Sequence, residues 1–375
     1  MGGCSLPARS DKKTLDMGHR RRVTISDVSS TLGLTKGTVS RALNGYSDIS
    51  ETTRNKVVKT AERMGYQPLS HAQAIRTGRT RSLGLVLQFN DHDSQRPFLA
   101  GFLSGISHAA SAANWTLTVA TADSDAGTLE TTARLLREQK ADGFILPRTM
   151  INDPRIDLLR QAGAPFVLYG RTQDTTDCAW FDILGEHAMR DAVLRLADLG
   201  HERIAFVNGG DAYNYSFLRL QGIRDGLQLA GLEFDPDLIK TNAVRTGEGA
   251  TAATELLRLQ HPPTAFIFAT DMAALGLYDV ARHYGLEIGR DLSLISYDGV
   301  PEGSFANPPL TTFSVDTRQA GERLASLLIR RIRGEDVQTL RETASAKLVE
   351  RGSDGPVNMT SQQLRQHLAA QNHSV

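Results

Sequence analysis

The sequence VTISDVSSTLGLTKGTVSRALNG occupies residues 23–45 and predicts two short helices. The first covers 26–32 and ends at Gly33, because glycine adopts the positive φ of a helix C-terminus without strain. Thr35 can cap the second, 35–43, since its side-chain oxygen can accept from the free N–H groups of the first turn. Two short helices around a tight glycine-containing turn predict a helix-turn-helix.

A third helix, 51–64, is predicted next, with Ser50 as its cap and Gly65 at its end. The three helices would share a small apolar core made of Val28, Leu32, Leu34, Val39, Leu43, Val57 and Ala61. Because Val39 and Leu43 face inward, the polar residues of the second helix face outward. Side chains of this kind suit bases and phosphates in a major groove: Lys36, Gly37, Thr38, Ser40 and Arg41. A solvated three-helix bundle remains the alternative.

Charge is unevenly distributed along the chain, although the formal net charge is +0. Residues 1–81 hold 15 Lys/Arg and 6 Asp/Glu, and the remainder holds 27 and 36. A basic segment ahead of an acidic one favours contact with a polyanion at that end.

From Arg81 onward, apolar strand-like runs alternate with amphipathic helices. Such alternation predicts parallel sheets in α/β layers, and the length accommodates two of them. Predicted strands are 83–87, 116–120, 143–146, 166–169, 204–207, 264–268 and 292–297. Predicted helices are 98–113, 128–139, 186–199, 216–230, 249–259 and 273–284.

Both ends of the chain are predicted to be disordered. Residues 1–21 resemble a leader, and translation could start at Met1 or at Met17. Residues 351–375 are polar and rich in Gln. In this tail Leu364 and Leu368 form a single i, i+4 pair, too little for a coiled coil, so a dimer is favoured over a tetramer.

The first 80 residues resemble the lactose-repressor and purine-repressor family of bacterial transcription regulators. The likeness runs ungapped through residues 23–45 and continues at 50–54, 65–68 and 76–79. It implies a helix-turn-helix DNA-binding domain at 22–68 and a hinge helix and linker at 69–80. It also implies a homodimer on a pseudo-palindromic operator. The DNA-contacting residues that it implies are Thr24, Lys36, Gly37, Thr38, Ser40, Arg41, Asn44, Ala72 and Ile75.

Within this likeness, Lys36 and Gly37 hold the positions that vary between members and select operator bases. The hinge helix, 69–76, is expected to form on DNA and to insert an apolar residue into the minor groove. Ile75 holds this wedge position, where the family usually has Leu, and Leu69 replaces a common Asn. These departures put operator bending in question.

Five stretches of the remaining chain carry a second likeness: 199–206, 219–222, 262–265, 271–276 and 309–312. Through them, residues 81–350 resemble the sugar-binding-protein type of fold that this family shares. The resemblance implies an effector-binding and dimerisation domain of two α/β lobes around a cleft, with three chain crossings. We expect one lobe to hold 81–181 with 299–316, and the other to hold 182–298 with 317–350.

The effector is expected in the cleft, at the carboxyl ends of the strands. The resemblance implies Arg219 and Asp271 as the contacting pair, and donor plus acceptor chemistry suits sugar hydroxyls. Aromatic residues near strand ends could stack on a sugar ring: Phe98, Tyr213, Tyr215 and Phe217. Further candidates at strand ends are Asp182, Tyr297 and Arg171, while Asp298 could instead cap a loop.

These features predict a sequence-specific DNA-binding regulator of carbohydrate-utilisation genes, most simply a repressor, controlled by a mono- or disaccharide. Four alternatives remain: a purine effector, a sugar-transport protein, an enzyme on the same fold, or a regulator that has lost its effector site. No catalytic or cofactor motif occurs, and we expect neither an enzyme, a cofactor nor a metal. Two cysteines and the lack of a long apolar run predict a cytoplasmic, nucleoid-associated protein without a membrane partner. Inducer and co-repressor are both open.

Overall fold

A computed structural model describes residues 23–66, 79–88 and 96–371. The chain divides into two compact units between Arg79 and Thr80. The predicted leader, the hinge helix with Ala72 and Ile75, and the Phe98 side chain lie outside the residues and side chains described.

The first unit is a bundle of α1 (Ile25–Leu32), α2 (Lys36–Leu43) and α3 (Glu51–Met64). Each helix begins at a hydroxyl cap. Thr24 and Asp27 form a capping box, and the side chains of Thr35 and Ser50 accept from N–H groups three residues on. The core contains Val28, Val39, Ala42, Val57 and Ala61.

The second unit begins with one lobe, a six-stranded sheet whose neighbouring strands all run parallel. The strand order is β11-β5-β4-β3-β1-β2. Its strands are β1 (Ser82–Gln88), β2 (Thr116–Ala122), β3 (Gly143–Leu146), β4 (Phe166–Tyr169), β5 (Ala179–Ile183) and β11 (Arg341–Ala344). Apolar cores lie on both faces. The lobe's helices are α4 (Arg96–Ala112), α5 (Asp125–Arg137), α6 (Pro154–Gln161) and α11 (Thr317–Ile332).

The second lobe is a six-stranded sheet of order β12-β10-β9-β8-β6-β7, in which only β12 is antiparallel to its neighbour. Its strands are β6 (Ile204–Val207), β7 (Ile239–Lys240), β8 (Ala265–Phe268), β9 (Ser293–Asp298), β10 (Thr311–Ser314) and β12 (Lys347–Val349). Its helices are α7 (Gly185–Asp198), α8 (Asn214–Ala230), α9 (Thr246–Leu257), α10 (Asp271–His283) and α12 (Ser361–Gln371).

The predicted division into lobes is wrong for residues 299–344. Residues 299–316, assigned to the first lobe, supply β10, which pairs with β9 in the second. Residues 317–344, assigned to the second lobe, supply α11 and β11 of the first. Gly321 explains the placement of α11, because a Cβ there would come within 2.3 Å of the Phe102 carbonyl oxygen of α4. The chain crosses between lobes after β5, after β10 and after β11.

The predicted disorder of 351–375 is also wrong for the part of the tail that the structure describes. Ser353 is fully buried, accepts from Thr311 N at 2.8 Å and donates to the Leu294 carbonyl oxygen at 2.6 Å. Leu364 and Leu368 of α12 are buried in the core of the second lobe. The tail is polar overall, so its composition did not indicate a packed helix. The two leucines are nevertheless sufficient to dock one face of a short helix.

Candidate functional site

The outer face of α2 carries the residues predicted to contact DNA. Val39 and Ala42 are buried, while Lys36, Gly37 and Arg41 are exposed. The remaining candidates are engaged locally. The Thr38 hydroxyl lies 2.9 Å from that of Thr35, Asn44 Nδ2 donates to Ser40 Oγ at 3.3 Å, and Thr24 caps α1. The buried side of α2 therefore fixes which residues face outward, and local hydrogen bonds hold the shorter polar side chains of that outer face.

A cavity of about 290 Å³ lies between the two lobes of the second unit. Its walls are the carboxyl ends of strands, where open α/β sheets bind ligands. The first lobe contributes Arg148, Arg171 and Asp182, which end or follow β3, β4 and β5. The second lobe contributes the N-cap and first turns of α8 and the end of β9: Tyr213, Tyr215, Arg219, Tyr297 and Asp298.

Arg219 lies at the centre of an aromatic cluster. Its guanidinium carbon is 4.0 Å from the Tyr297 ring centroid and 4.8 Å from that of Tyr215. Nη1 donates to the Ala269 carbonyl oxygen at 2.6 Å, whereas the buried Nε has no partner among the described residues. Leaving such a donor unpaired costs about 1–3 kcal/mol.

Arg171 joins the two lobes at the cavity wall. Its Nε donates to Asp182 of the first lobe and its Nη2 donates to Glu186 of the second. Burial raises the pKa of Asp182 to about 6, although Arg171 acts in the opposite direction. Glu186 Oε2 is buried without a hydrogen-bond donor among the described residues. The wall thus holds a cation fixed between two carboxyl groups, one from each lobe.

Comparison with known proteins shows the family of this chain. A family described as bacterial regulatory proteins, lacI family, matches residues 24–69, and a periplasmic binding protein-like domain matches 193–353. The HTH-type transcriptional regulator AglR of Rhizobium meliloti is 33% identical over 343 residues, 89% of this chain and 95% of AglR. The chain belongs to the LacI family of bacterial regulators. It is a DNA-binding transcription regulator, and the predicted family and fold are confirmed.

Other relatives of this LacI-family regulator match over nearly its full length. The HTH-type transcriptional regulator CelR of Thermobifida fusca is 32% identical over 90% of this chain and 100% of CelR. A solved structure described as a transcriptional regulator CelR–cellobiose complex covers 88% of the chain and 100% of its own, with a TM-score of 0.68 and 31% identity. The lac repressor dimer bound to operator and the anti-inducer ONPF, at 24% identity, has a TM-score of 0.74 and the same fold.

Two of the predicted cavity residues are elsewhere in this LacI-family regulator. Asp271 is fully buried and does not line the cavity. Its carboxylate accepts from Gly299 N and Val300 N, both at 2.8 Å, and from Thr312 Oγ1 at 2.7 Å. Burial raises the Asp271 pKa. This carboxylate therefore holds the turn that follows β9.

Phe217 is half-exposed and lies outside the cavity lining. It sits on α8 between Tyr215 and Arg219, which are four residues apart and share the cavity face. Helical periodicity turns the intervening residue away from that face. The structure therefore does not bring Phe217 to the cavity with the other candidates.

Asp298 lines the cavity although it was not among the predicted contacts. Its φ is 123°, and burial raises its pKa to about 8. Arg148 was also missed; its guanidinium lies 4.9 Å from the Tyr213 ring centroid. The position of Asp298 at a strand end was the available signal.

Among the described residues, no group of three or more side chains is arranged to hold a metal ion. Within the same residues, no helix has the length and apolar character needed to cross a bilayer.

Proposed function

We propose that this LacI-family regulator binds an uncharged mono- or disaccharide in the cavity between its lobes. Binding changes the affinity of a homodimer for a pseudo-palindromic operator near carbohydrate-utilisation genes. The observation that carries the proposal is the cavity wall around Arg219, where a guanidinium stacked on tyrosine rings shares the lining with the carboxyl groups of Asp182 and Asp298. Sugar hydroxyls donate and accept, so one ring can satisfy both kinds of partner.

The charge of the cavity favours a neutral ligand over an anionic one. Its lining holds Arg148, Arg155, Arg171 and Arg219 together with Asp125, Asp153, Asp182, Glu186 and Asp298. Arg155 is paired with Asp153, and Arg171 is paired with Asp182 and Glu186. No cationic excess remains for a phosphate or a carboxylate. The CelR–cellobiose complex gives a solved relative with a neutral disaccharide as its ligand.

Contacts between the lobes provide a route from the cavity to a conformational change. Ile151 N donates to the Ala212 carbonyl oxygen at 2.9 Å, and Asn214 N donates to the Thr149 carbonyl oxygen at 3.0 Å. Asn214 Nδ2 also donates to the Arg171 carbonyl oxygen at 2.9 Å. A ligand that touches both walls binds one lobe angle better than another, and this difference is the coupling energy.

On DNA, we propose that α2 enters the major groove and that Lys36, Thr38, Ser40, Arg41 and Asn44 meet bases and phosphates. Gly37 leaves room for the groove edge beside Lys36. The exposed Lys36 and Arg41 support this assignment, because phosphates and guanine acceptors both attract such donors.

The test is a thermal-shift screen of the full chain with glucose, cellobiose and other disaccharides, sugar phosphates and purines. We expect a saturating rise in melting temperature with one neutral sugar. Arg219→Ala should lose this rise, while Phe217→Ala, a change on the same helix outside the cavity, should keep it. A shift with purines alone would replace the sugar by the alternative effector.

A gel shift with and without the sugar then gives the sign of the response, since an inducer weakens the DNA complex and a co-repressor strengthens it. The sugar should be recovered unchanged. Its conversion to a product would point to an enzyme and contradict the proposal.

A further inference from the structure

Asp48 places a carboxylate beside the exposed arginine of α2. Arg41 Nε lies 3.2 Å from Asp48 Oδ1, and Arg41 Nη2 lies 2.5 Å from Asp48 Oδ2. The guanidinium also lies over the Tyr46 ring, 5.0 Å from its centroid. Both side chains of the ion pair are 51% exposed, so the pair is on the surface.

The loop that carries Asp48 is tied to the helices on both sides. Tyr46 N donates to the Arg41 carbonyl oxygen at 3.1 Å, and Arg54 Nη2 of α3 donates to the Tyr46 carbonyl oxygen at 2.8 Å. Asp48 therefore approaches Arg41 from a supported loop. Arg41 loses part of its side-chain freedom before any DNA is bound.

Neither stability nor DNA affinity explains this carboxylate. An exposed ion pair contributes little to folding. A negative charge next to a DNA-facing arginine repels phosphates and weakens the counterion-release contribution to binding. The remaining effect of Asp48 is on the orientation of Arg41.

A guanidinium has two hydrogen-bonding edges, and Asp48 occupies one of them. The edge made by Nε and Nη2 contacts the carboxylate, while Nη1 has no partner recorded among the described residues. The edge made by Nη1 and Nη2 is the one that can pair with guanine O6 and N7. We propose that Asp48 is a positioning residue that holds Arg41 for a guanine in each operator half-site. The proposal rests on the proposed function, in which α2 enters the major groove.

The test is in vitro selection of binding sites from a random-sequence duplex library with the full-length protein. Wild type, Arg41→Ala, Asp48→Ala and Asp48→Asn are compared. Glu62→Gln on α3 is the matched control, because it removes an exposed negative charge from the same unit away from Arg41. We expect Arg41→Ala to abolish one guanine preference per half-site. Asp48→Ala should reduce preference at the same position by about tenfold while binding to unrelated duplex rises.

Asp48→Asn removes the charge but preserves the shape of the side chain. If this variant loses guanine preference while its thermal unfolding is unchanged, a folding defect is excluded. Glu62→Gln should keep the full guanine preference. If Arg41→Ala relaxes a position at which Asp48→Ala retains wild-type preference, the positioning role is overturned. Relaxation at a different position overturns it as well. An Arg41→Ala variant with unaltered base preference would instead refute the proposed role of Arg41 itself.

Discussion

Replacing Leu364 by Ala should destabilise the second unit by about 3 kcal/mol. Leu364 is fully buried, with 0% of its surface accessible to solvent, and it packs in a cluster with Tyr284, Leu286 and Leu368. Leucine-to-alanine changes at such sites cost about 2–5 kcal/mol, and sites that can relax fall at the lower end. Two anchoring leucines hold an 11-residue helix, which is too short to persist undocked in water.

The cost therefore has an upper bound set by undocking. If the free energy lost with the Leu364 side chain exceeds the free energy that docks α12, the whole helix separates from the second lobe. Leu368 and the ring of Tyr284 then become exposed together. Three further contacts oppose this separation: Ser361 Oγ donates to Pro262 O at 2.7 Å, Arg365 Nη1 to Leu259 O at 2.9 Å, and His367 Nε2 lies 2.9 Å from Tyr284 O. Docking is thus shared between apolar and polar contacts.

Thermal unfolding followed by circular dichroism measures the loss, expected as a fall of about 5 °C in the melting temperature. Hydrogen exchange at the Leu364 amide, which donates to the Thr360 carbonyl oxygen at 2.9 Å, should accelerate in the same variant. Gln366→Ala is the matched control, because Gln366 is exposed on the same helix. Equal stability of Leu364→Ala and Gln366→Ala would show that the helix is not packed and would refute the reasoning.

Three other predictions concern function and pH. Arg41→Ala should weaken operator binding in a gel shift by about tenfold or more, because one base contact per half-site is lost, and it should leave sugar binding by calorimetry intact. Unchanged operator affinity would contradict the assignment of α2. Asp271→Ala should cost about 3 kcal/mol of stability, since three donors lose their acceptor. It should also lower sugar affinity, because the turn after Asp298 is no longer held in place. A variant with a normal melting temperature and normal sugar affinity would contradict this prediction. Unfolding should release a proton from Asp298 between its ordinary pKa of 3.8 and its folded pKa of about 8. Its contribution to stability is therefore full below about pH 4 and falls as the pH rises towards 8. Asp298→Asn should make the melting temperature fall less steeply between these two pH values. If the melting temperature of the variant depends on pH as in the wild type, the carboxyl group is not buried as described.

Local signals in the sequence predict the first unit almost residue by residue. Hydroxyl caps at Thr35 and Ser50 and glycines at Gly33 and Gly65 mark helix ends through contacts made within four residues. Seven of the twelve described strands follow from continuous apolar runs, because strands covered on both faces need no polar alternation. The other five, β5, β7, β10, β11 and β12, were not predicted. The presence of an interlobe cavity at strand ends follows from the same layer architecture.

What could not be predicted depends on contacts distant in sequence. The Asp271 carboxylate is turned inward by N–H groups 28 and 29 residues away, which no local pattern reveals. Assignment of β10 to the second lobe depends on its pairing with β9, and assignment of α11 to the first depends on close packing against α4. Phe217 is different, since the four-residue spacing of Tyr215 and Arg219 already indicates that it points elsewhere.

The interrupted course of the first lobe has a consequence for synthesis of the protein. Phe102 and Ile106 of α4 belong to a core that also contains Leu324 and Leu328 of α11, more than 200 residues later. During translation the three-helix unit leaves the ribosome first and can fold alone, while α4 waits with an uncovered apolar face until α11 emerges. A chain terminated early, before α11, would therefore carry a DNA-binding unit without a finished sensor. Its exposed apolar surface would make it a substrate for chaperones and proteases rather than a regulator that ignores its ligand.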